Sequence, residues 1–325
     1  MRSRTFRSVT AAAALAVTAL AFAGCATAPS AEAPDASAAP TTVTVEDNHG
    51  EIEVPVDPER VVALDNTTFQ TLSDWGVTLV AAPKPLMHGL WPDLSGGDEV
   101  LDAGLHREPD VEAIVAAEPD LIIGGYRFRE LYDQLKEIQP ATIETSPRDG
   151  EDQSSELKRQ TTILGEVFDK QAEAAQLNAD LDTAIADAKD AYDPSQTVMG
   201  LITSGGKIAY AAPGEGRGVG TLFPTLGLTP ALERSAEDSS HGDDISVEAI
   251  AAANPEWLFV LDRDAPLGVE NYVGAAELIE NAEALKNVPA VQKGQIVYLD
   301  GSFYLDEGIQ AYTKLYRQAA EAFAS

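Results

Sequence analysis

DVEAIVAAEPDLII at residues 110–123 returns as SVEAIAAANPEWLF at residues 246–259. Each copy opens on a residue suited to capping a helix, Asp110 or Ser246, and places an acid, Glu112 or Glu248, in the first turn that follows. A short polar side chain accepts from the unpaired N–H groups of a helix start, and a carboxylate there favours the positive end of the helix dipole. Pro119 and Pro255 end the two helices, because the residue before a proline is pushed into extended backbone. The apolar runs that follow, Leu121 to Ile123 and Trp257 to Leu261, read as strands covered on both faces. A helix feeding a core strand, twice in one chain, predicts an α/β fold with two Rossmann-like lobes.

Beyond each strand stands an arginine at equal spacing: 15 positions separate Glu112 from Arg127, and 15 separate Glu248 from Arg263. In open α/β sheets ligands bind outside the carboxyl ends of the strands, so this spacing predicts one cation per lobe, facing across a cleft. Arg129 is a second candidate for the inward cation of the first lobe. Further strand signals flank the repeats: Arg60 to Leu64, Val77 to Ala81 and Ala141 to Thr145 in the first half, Val198 to Thr203, Lys207 to Ala211 and Gln295 to Leu299 in the second. Each lobe is therefore a small, mostly parallel sheet flanked by helices.

Between the halves, Ser155 to Tyr192 contains no proline and one glycine, Gly165, with apolar residues at helical intervals. It reads either as two helices joined at Gly165 or with its second half as one long helix joining the lobes. Its alanine-rich second part lacks the heptads of large residues that a coiled coil needs.

The N-terminus reads differently. Arg2, Arg4 and Arg7 precede an alanine-rich apolar run that closes on Phe22-Ala23-Gly24-Cys25, and Cys25 is the sole cysteine. A basic start, a short apolar run and small residues before the cut are the pattern of an export signal. The cysteine directly after them resembles the lipobox of bacterial lipoproteins, which implies acylation of Cys25. Ala26 to Thr42, all Ala, Pro, Ser, Thr and acid, has the composition of a disordered tether. The expected organisation is a signal peptide over 1–24, a tether over 25–42, a first lobe over 43–167, a linking helix over 168–192 and a second lobe over 193–325.

The formal charge of the whole chain is -31; removing the three arginines of residues 1–24 leaves 19 basic against 53 acidic residues, or -34. So acidic a surface repels nucleic acid, and cations aimed into a cleft stand out against it.

With the opening stretch Glu51-Ile-Glu-Val-Pro-Val-Asp-Pro-Glu-Arg-Val-Val-Ala-Leu, the chain from Val43 onward resembles the ABC-transporter binding proteins whose lobes are joined by a single rigid helix. These serve siderophores, haem and vitamin B12. The nearer likeness is to the branch that binds ferric catecholate siderophores of the enterobactin and petrobactin type. That branch places three arginines around an anionic ligand, with a histidine and a tyrosine able to complete the iron shell. The resemblance assigns Arg127 in Gly-Gly-Tyr-Arg, Arg217 in the glycine-rich loop before Leu222, Arg263 in Val-Leu-Asp-Arg, His241 in Ser-His-Gly, and Tyr304 in Gly-Ser-Phe-Tyr. It also implies that Glu112 and Glu248 dock on an ABC permease dimer, although helix N-terminal charge alone accounts equally for both. Tyr298, Tyr272 and Tyr126 are the other tyrosines that could fill the tyrosine role.

The chemistry suits these residue types. Arginine stays protonated, its planar fork matches oxygen pairs and its face stacks on aromatic rings, so three converging arginines would offset a trianionic tris-catecholate without competing acceptors. A tetradentate siderophore leaves two iron positions open, for which imidazole and phenolate are suitable donors. Met87, His88, Trp91 and Tyr126 are expected to line the first lobe's wall, while His49, His88 and His106 lack ligand-like spacing and are given no iron role.

Haem, or a hydroxamate or citrate siderophore, is the alternative ligand. No Gly-x-Ser-x-Gly elbow occurs, so the expectation is a monomeric binding protein, neither an enzyme nor the holder of an intrinsic cofactor, whose ligand is an Fe(III)-siderophore.

Overall fold

Both repeats form the helix and strand that their sequences predict. The Asp110 carboxylate accepts from the Ala113 N–H at 2.9 Å, and the Ser246 hydroxyl accepts from the Ala249 N–H at 3.2 Å. The helices run Val111–Ala116 and Val247–Ala253, and the strands after them are buried throughout their apolar runs. The computed structural model describes residues 41–325; the expected signal peptide, Cys25 and nearly all of the tether lie outside them.

The first half opens with the antiparallel hairpin β1 (Thr42–Asp47) and β2 (Gly50–Pro55). There follow β3 (Val61–Ala63), β4 (Leu79–Ala82), β5 (Leu101–Asp102), a two-stranded ribbon of β6 (Gly104–Leu105) and β7 (Glu108–Pro109), then β8 (Leu121–Gly124) and β9 (Thr142–Glu144). The main sheet has the order β5-β4-β3-β8-β9, all parallel.

The second half holds β10 (Thr197–Ser204), β11 (Lys207–Ala211), β12 (Thr229–Pro230), β13 (Asp243–Asp244), β14 (Trp257–Asp262) and β15 (Ile296–Tyr298). Its path is β13-β11-β10-β14-β15, with β12 beside β10. The strands β10, β12, β14 and β15 pair in parallel and β11 runs antiparallel. In each sheet the strand that ends the repeat lies beside the central strand and second from the edge, an equivalent place that directs the residues after it toward the same end of the fold.

Between the sheets run two helices, Gln153–Val167 and Gln171–Ala191. The break lies at residues 168–170, where Asp169 takes a left-handed backbone, and not at Gly165. Gly165 stays helical for a packing reason: a Cβ there would sit 2.7 Å from the Cβ of Ala174, so its bare Cα lets the two helices approach.

The C-terminal helix Ile309–Phe323 buries Ile309, Tyr312, Leu315, Tyr316 and Ala319, a stripe at helical spacing, and packs along Gln171–Ala191. Its Gln310 reaches the first half, accepting from the Thr71 hydroxyl at 3.2 Å and donating to Asp74 at 3.1 Å. Just before it, Gly308 passes so near the Thr67 carbonyl that a Cβ would lie 2.6 Å from that oxygen, and the Asn66 amide donates to the Leu305 carbonyl at 2.9 Å. Residues 41–325 accordingly pack as one compact unit. No helix among the described residues is long and apolar enough to cross a membrane.

Candidate functional site: an arginine-lined cleft

A cleft of about 1010 Å³ lies beyond the ends of β8 and β14, walled by residues of both halves. Arg127, Arg217, Arg263, His241 and Tyr304 all line it.

Arg127 follows Gly125 and Tyr126, both at positive φ, on the short helix Tyr126–Leu131. Its Nε donates to Asn66 at 3.2 Å and its Nη2 to the Tyr304 carbonyl at 3.2 Å, so its side chain crosses to the other half. Arg129 also borders the cleft but turns outward: its Nη1 donates to Asp149 at 2.8 Å and its side chain is 41% exposed, against 12% for Arg127. Arg127 is thus the inward cation.

Arg217 sits in a loop held by its own N–H, which donates to the Ser239 carbonyl at 2.8 Å. Arg263 follows β14 directly; its Nη1 donates to Ser204 at 3.0 Å and to Asp264 at 3.1 Å. The Arg263 Nε–H is buried and finds no acceptor among the described residues.

The three guanidinium groups gather on one ring. Their central carbons lie 5.1 Å (Arg127), 4.3 Å (Arg217) and 5.1 Å (Arg263) from the centroid of Tyr304, within the range of cation–π attraction. Burial opposes ionisation of the Tyr304 phenol, but the charges of Arg217 and Arg127 with the nearby Arg263 outweigh it and hold the pKa below that of an ordinary tyrosine. Tyr126, another cleft tyrosine, is shifted upward by burial and by the charge of Glu307.

His241 stands at the rim, with its Nδ1 3.1 Å from the Asp238 carboxylate. With Nδ1 as the donor, Nε2 keeps its lone pair, the arrangement in which a carboxylate orients an imidazole toward a metal.

Four features depart from the sequence reading. Glu307 was missed: its buried carboxylate accepts from Arg217 Nε at 2.7 Å and from the Arg217 Nη2, accepts from the Tyr126 hydroxyl at 3.1 Å, and lies 3.9 Å from Arg127. The arginines are therefore not free of competing acceptors. Next, Met87 and Trp91 do not wall the cleft; both are core residues, with Trp91 edge-on to Phe69 and bonded to Gln70. His88 is exposed at a left-handed position away from the cleft. Finally, His106 does line the cleft. Burial, then the charges of Arg127 and Arg107, lower its pKa, and its Nδ1 is buried with no partner among the described residues. Only Tyr126 of the four expected wall residues is in place. A lone acid at a helix end and a histidine in a ribbon turn carry no pattern by which sequence could have found them.

Elsewhere, Glu112 and Glu248 are exposed in the first turns of their helices. His49 stacks on Tyr132 and bonds Glu144, away from the cleft. Tyr298 and Tyr272 do not border it.

Residues 61–302 match the model of the periplasmic binding protein family. The chain belongs to that family. Among its relatives, the petrobactin-binding protein YclQ of Bacillus subtilis is 29% identical over 274 residues, covering 83% of this chain and 84% of its own. The crystal structure of YclQ superposes with a TM-score of 0.74, covering 87% of this chain and 99% of that one. The ferric-anguibactin-binding protein FatB of Vibrio anguillarum is 26% identical over 262 residues, covering 80% of each chain. The periplasmic catecholate-siderophore binding protein VctP of Vibrio cholerae superposes with a TM-score of 0.75 at 26% identity, covering 86% of this chain and 99% of that one. The family is one of two-lobed substrate-binding proteins, and the fold seen here is theirs.

Proposed function

We propose that this chain is the extracytoplasmic binding component of an iron-siderophore ABC importer, capturing a ferric catecholate siderophore and delivering it to the permease. The observation that carries this reading is the convergence of Arg127, Arg217 and Arg263 on the Tyr304 ring inside the cleft. Catecholate oxygens on Fe(III) are hard, anionic acceptors on aromatic rings, and guanidinium groups offer both a fork for the oxygens and a face for the rings. The likeness to proteins named for petrobactin, anguibactin and catecholate binding supports the same ligand class.

For a tetradentate siderophore, Tyr304 and His241 complete the iron shell. The depressed phenol pKa of Tyr304 supports a phenolate ligand, and the Asp238 contact supports an Nε2 donor on His241. Iron enters with its siderophore as cargo. Glu112 and Glu248, exposed at equivalent places of the repeat, dock on the two permease subunits, and Cys25 carries the lipid that holds the protein at the outer face of the cytoplasmic membrane.

Calorimetric titration of the folded unit of residues 41–325 with a ferric bis-catecholate, a ferric tris-catecholate, ferrioxamine and haemin tests the assignment. Preference for either catecholate supports it. Preference for haemin or ferrioxamine keeps the fold but overturns the ligand.

A further inference from the structure

The three cleft arginines do not act as three free charges. Glu307, with a side chain only 4% exposed, is paired to Arg217 through two contacts and lies 3.9 Å from Arg127. Asp264, 10% exposed, is paired to Arg263 at 3.1 Å. The other charged side chains that line the cleft, Arg107, Arg129, Arg148, Asp149, Glu151, Asp152 and Glu215, are exposed and screened by solvent, so the buried cluster around the Tyr304 ring, three guanidinium groups against two carboxylates, carries one net positive charge. Nor can Glu307 step aside easily: it takes a left-handed backbone at φ 53 and its second oxygen also accepts from Tyr126 across the cleft. A residue kept in strained backbone with a buried charge is held there by its surroundings, and such positions cluster at functional sites.

We propose that Glu307, supported by Asp264, sets the charge of the site so that it selects ferric complexes bearing about one net negative charge over more highly charged ones. This rests on the siderophore reading above and names the ligand class within it. Fe(III) held by two catecholates carries one negative charge, which the cleft balances; held by three, it carries three, and two are left uncompensated in a buried setting where such charge is costly. The order survives ionisation of Tyr304 onto iron, since the bis-catecholate assembly then still carries one negative charge fewer than the tris-catecholate. Glu307 acts by repulsion: it weakens the competitor more than the favoured ligand, which is how a binding site gains specificity.

The test uses a charge series on one scaffold: a ferric bis(catecholamide) with a neutral linker, the same ligand with one linker carboxylate, and a ferric tris-catecholate. Wild type should bind the neutral-linker complex about tenfold or more tighter than its carboxylate analogue, the factor that a modest buried-charge difference commands. Glu307→Gln should narrow the gap between the neutral-linker complex and both of the more anionic complexes by about tenfold, the ratio being the readout whatever the change in neutral-linker affinity. Retained binding of the first ligand shows that the variant is folded. An unchanged ratio in a folded Glu307→Gln, with siderophore binding intact, overturns the charge-setting role and leaves the function standing. Should that variant not fold, equal or tighter wild-type binding of the carboxylate analogue overturns it instead. Failure of wild type and variant to bind any of the three removes the siderophore reading and the inference together.

Discussion

Arg127 and Arg263 occupy the same position of the repeat, yet the two lobes use them differently. After β14 the chain turns at once, and Arg263 bonds Ser204 and Asp264 of its own lobe. β8 ends at Gly124, Gly125 follows, and the short helix Tyr126–Leu131 lets Arg127 bond Asn66 of its own lobe and reach across to the Tyr304 carbonyl and Glu307. One arginine belongs to its lobe, whereas the other helps close the joint between lobes. Equal spacing in sequence thus delivered equal positions but unequal partners, because the residues between strand and arginine decide where the side chain goes.

The largest expected contrast is between the two truncations. Arg127→Ala removes a cleft cation and leaves Glu307 and the Tyr304 carbonyl short of a partner. It should cost about a hundredfold in siderophore affinity, as loss of a buried, hydrogen-bonded charge does, and lower the melting temperature as well. Arg263→Ala should cost about tenfold in affinity with little change in melting. Titration and calorimetric melting of both variants check this, and equal losses in both readouts would erase the distinction.

A smaller effect separates the joint between lobes from the helix pair. Gly308→Ala sets a methyl 2.6 Å from the Thr67 carbonyl, and Gly165→Ala sets one 2.7 Å from the Ala174 Cβ. Each should destabilise by about 1–3 kcal/mol, as overpacking does. Only the first should also weaken ligand binding, because it sits where the two lobes meet.

The smallest effect is one of pH. Asp65 in the first lobe and Asp306 in the second are both raised by burial to about 7. Such carboxyls hold protons in the fold that the unfolded chain has already released, so the stability they contribute is full below the unfolded pKa near 4 and is lost as pH rises through 7. Glu156, which burial would raise but its bonds to Arg148 and Arg159 lower to about 2, opposes this only under acid conditions. The lowered pKa of His106 works against this slope between pH 5 and 7 without cancelling two carboxyls, so melting temperature should fall by ~5 °C from pH 5 to pH 8. Asp306→Asn, which keeps an acceptor for the Gly308 N–H, should remove about half of that slope. A slope unchanged by the substitution would assign the pH dependence elsewhere.

Much of the fold was legible because its evidence is local and repeated. Caps at Asp110 and Ser246, prolines at 119 and 255 and apolar runs of strand length are each read from a few adjacent residues. Of the two readings of 155–192, the break at 168–170 agrees with a linking helix begun at 168 and not with a joint at Gly165, since glycine serves close packing as well as chain breaks, and only the partner Ala174 tells which. The three arginines, His241 and Tyr304 were nameable through a family likeness. What lies among them was not: Glu307 follows a four-residue helix and meets Arg217 across 90 positions of chain. Met87 and Trp91 were misjudged because an apolar residue in a loop region reads alike whether it faces a ligand or the core.

The most direct test of the account follows the iron itself. Absorbance of the ferric bis-catecholate charge-transfer band, recorded on binding to wild type, His241→Ala and Tyr304→Phe, reports which protein atoms join the metal. Tight binding with a wild-type band shift that shrinks in both variants is the predicted result. A band identical in all three, or no binding of the ferric catecholate, would contradict the assignment of this cleft as a site that captures the siderophore through its arginines and completes its iron shell.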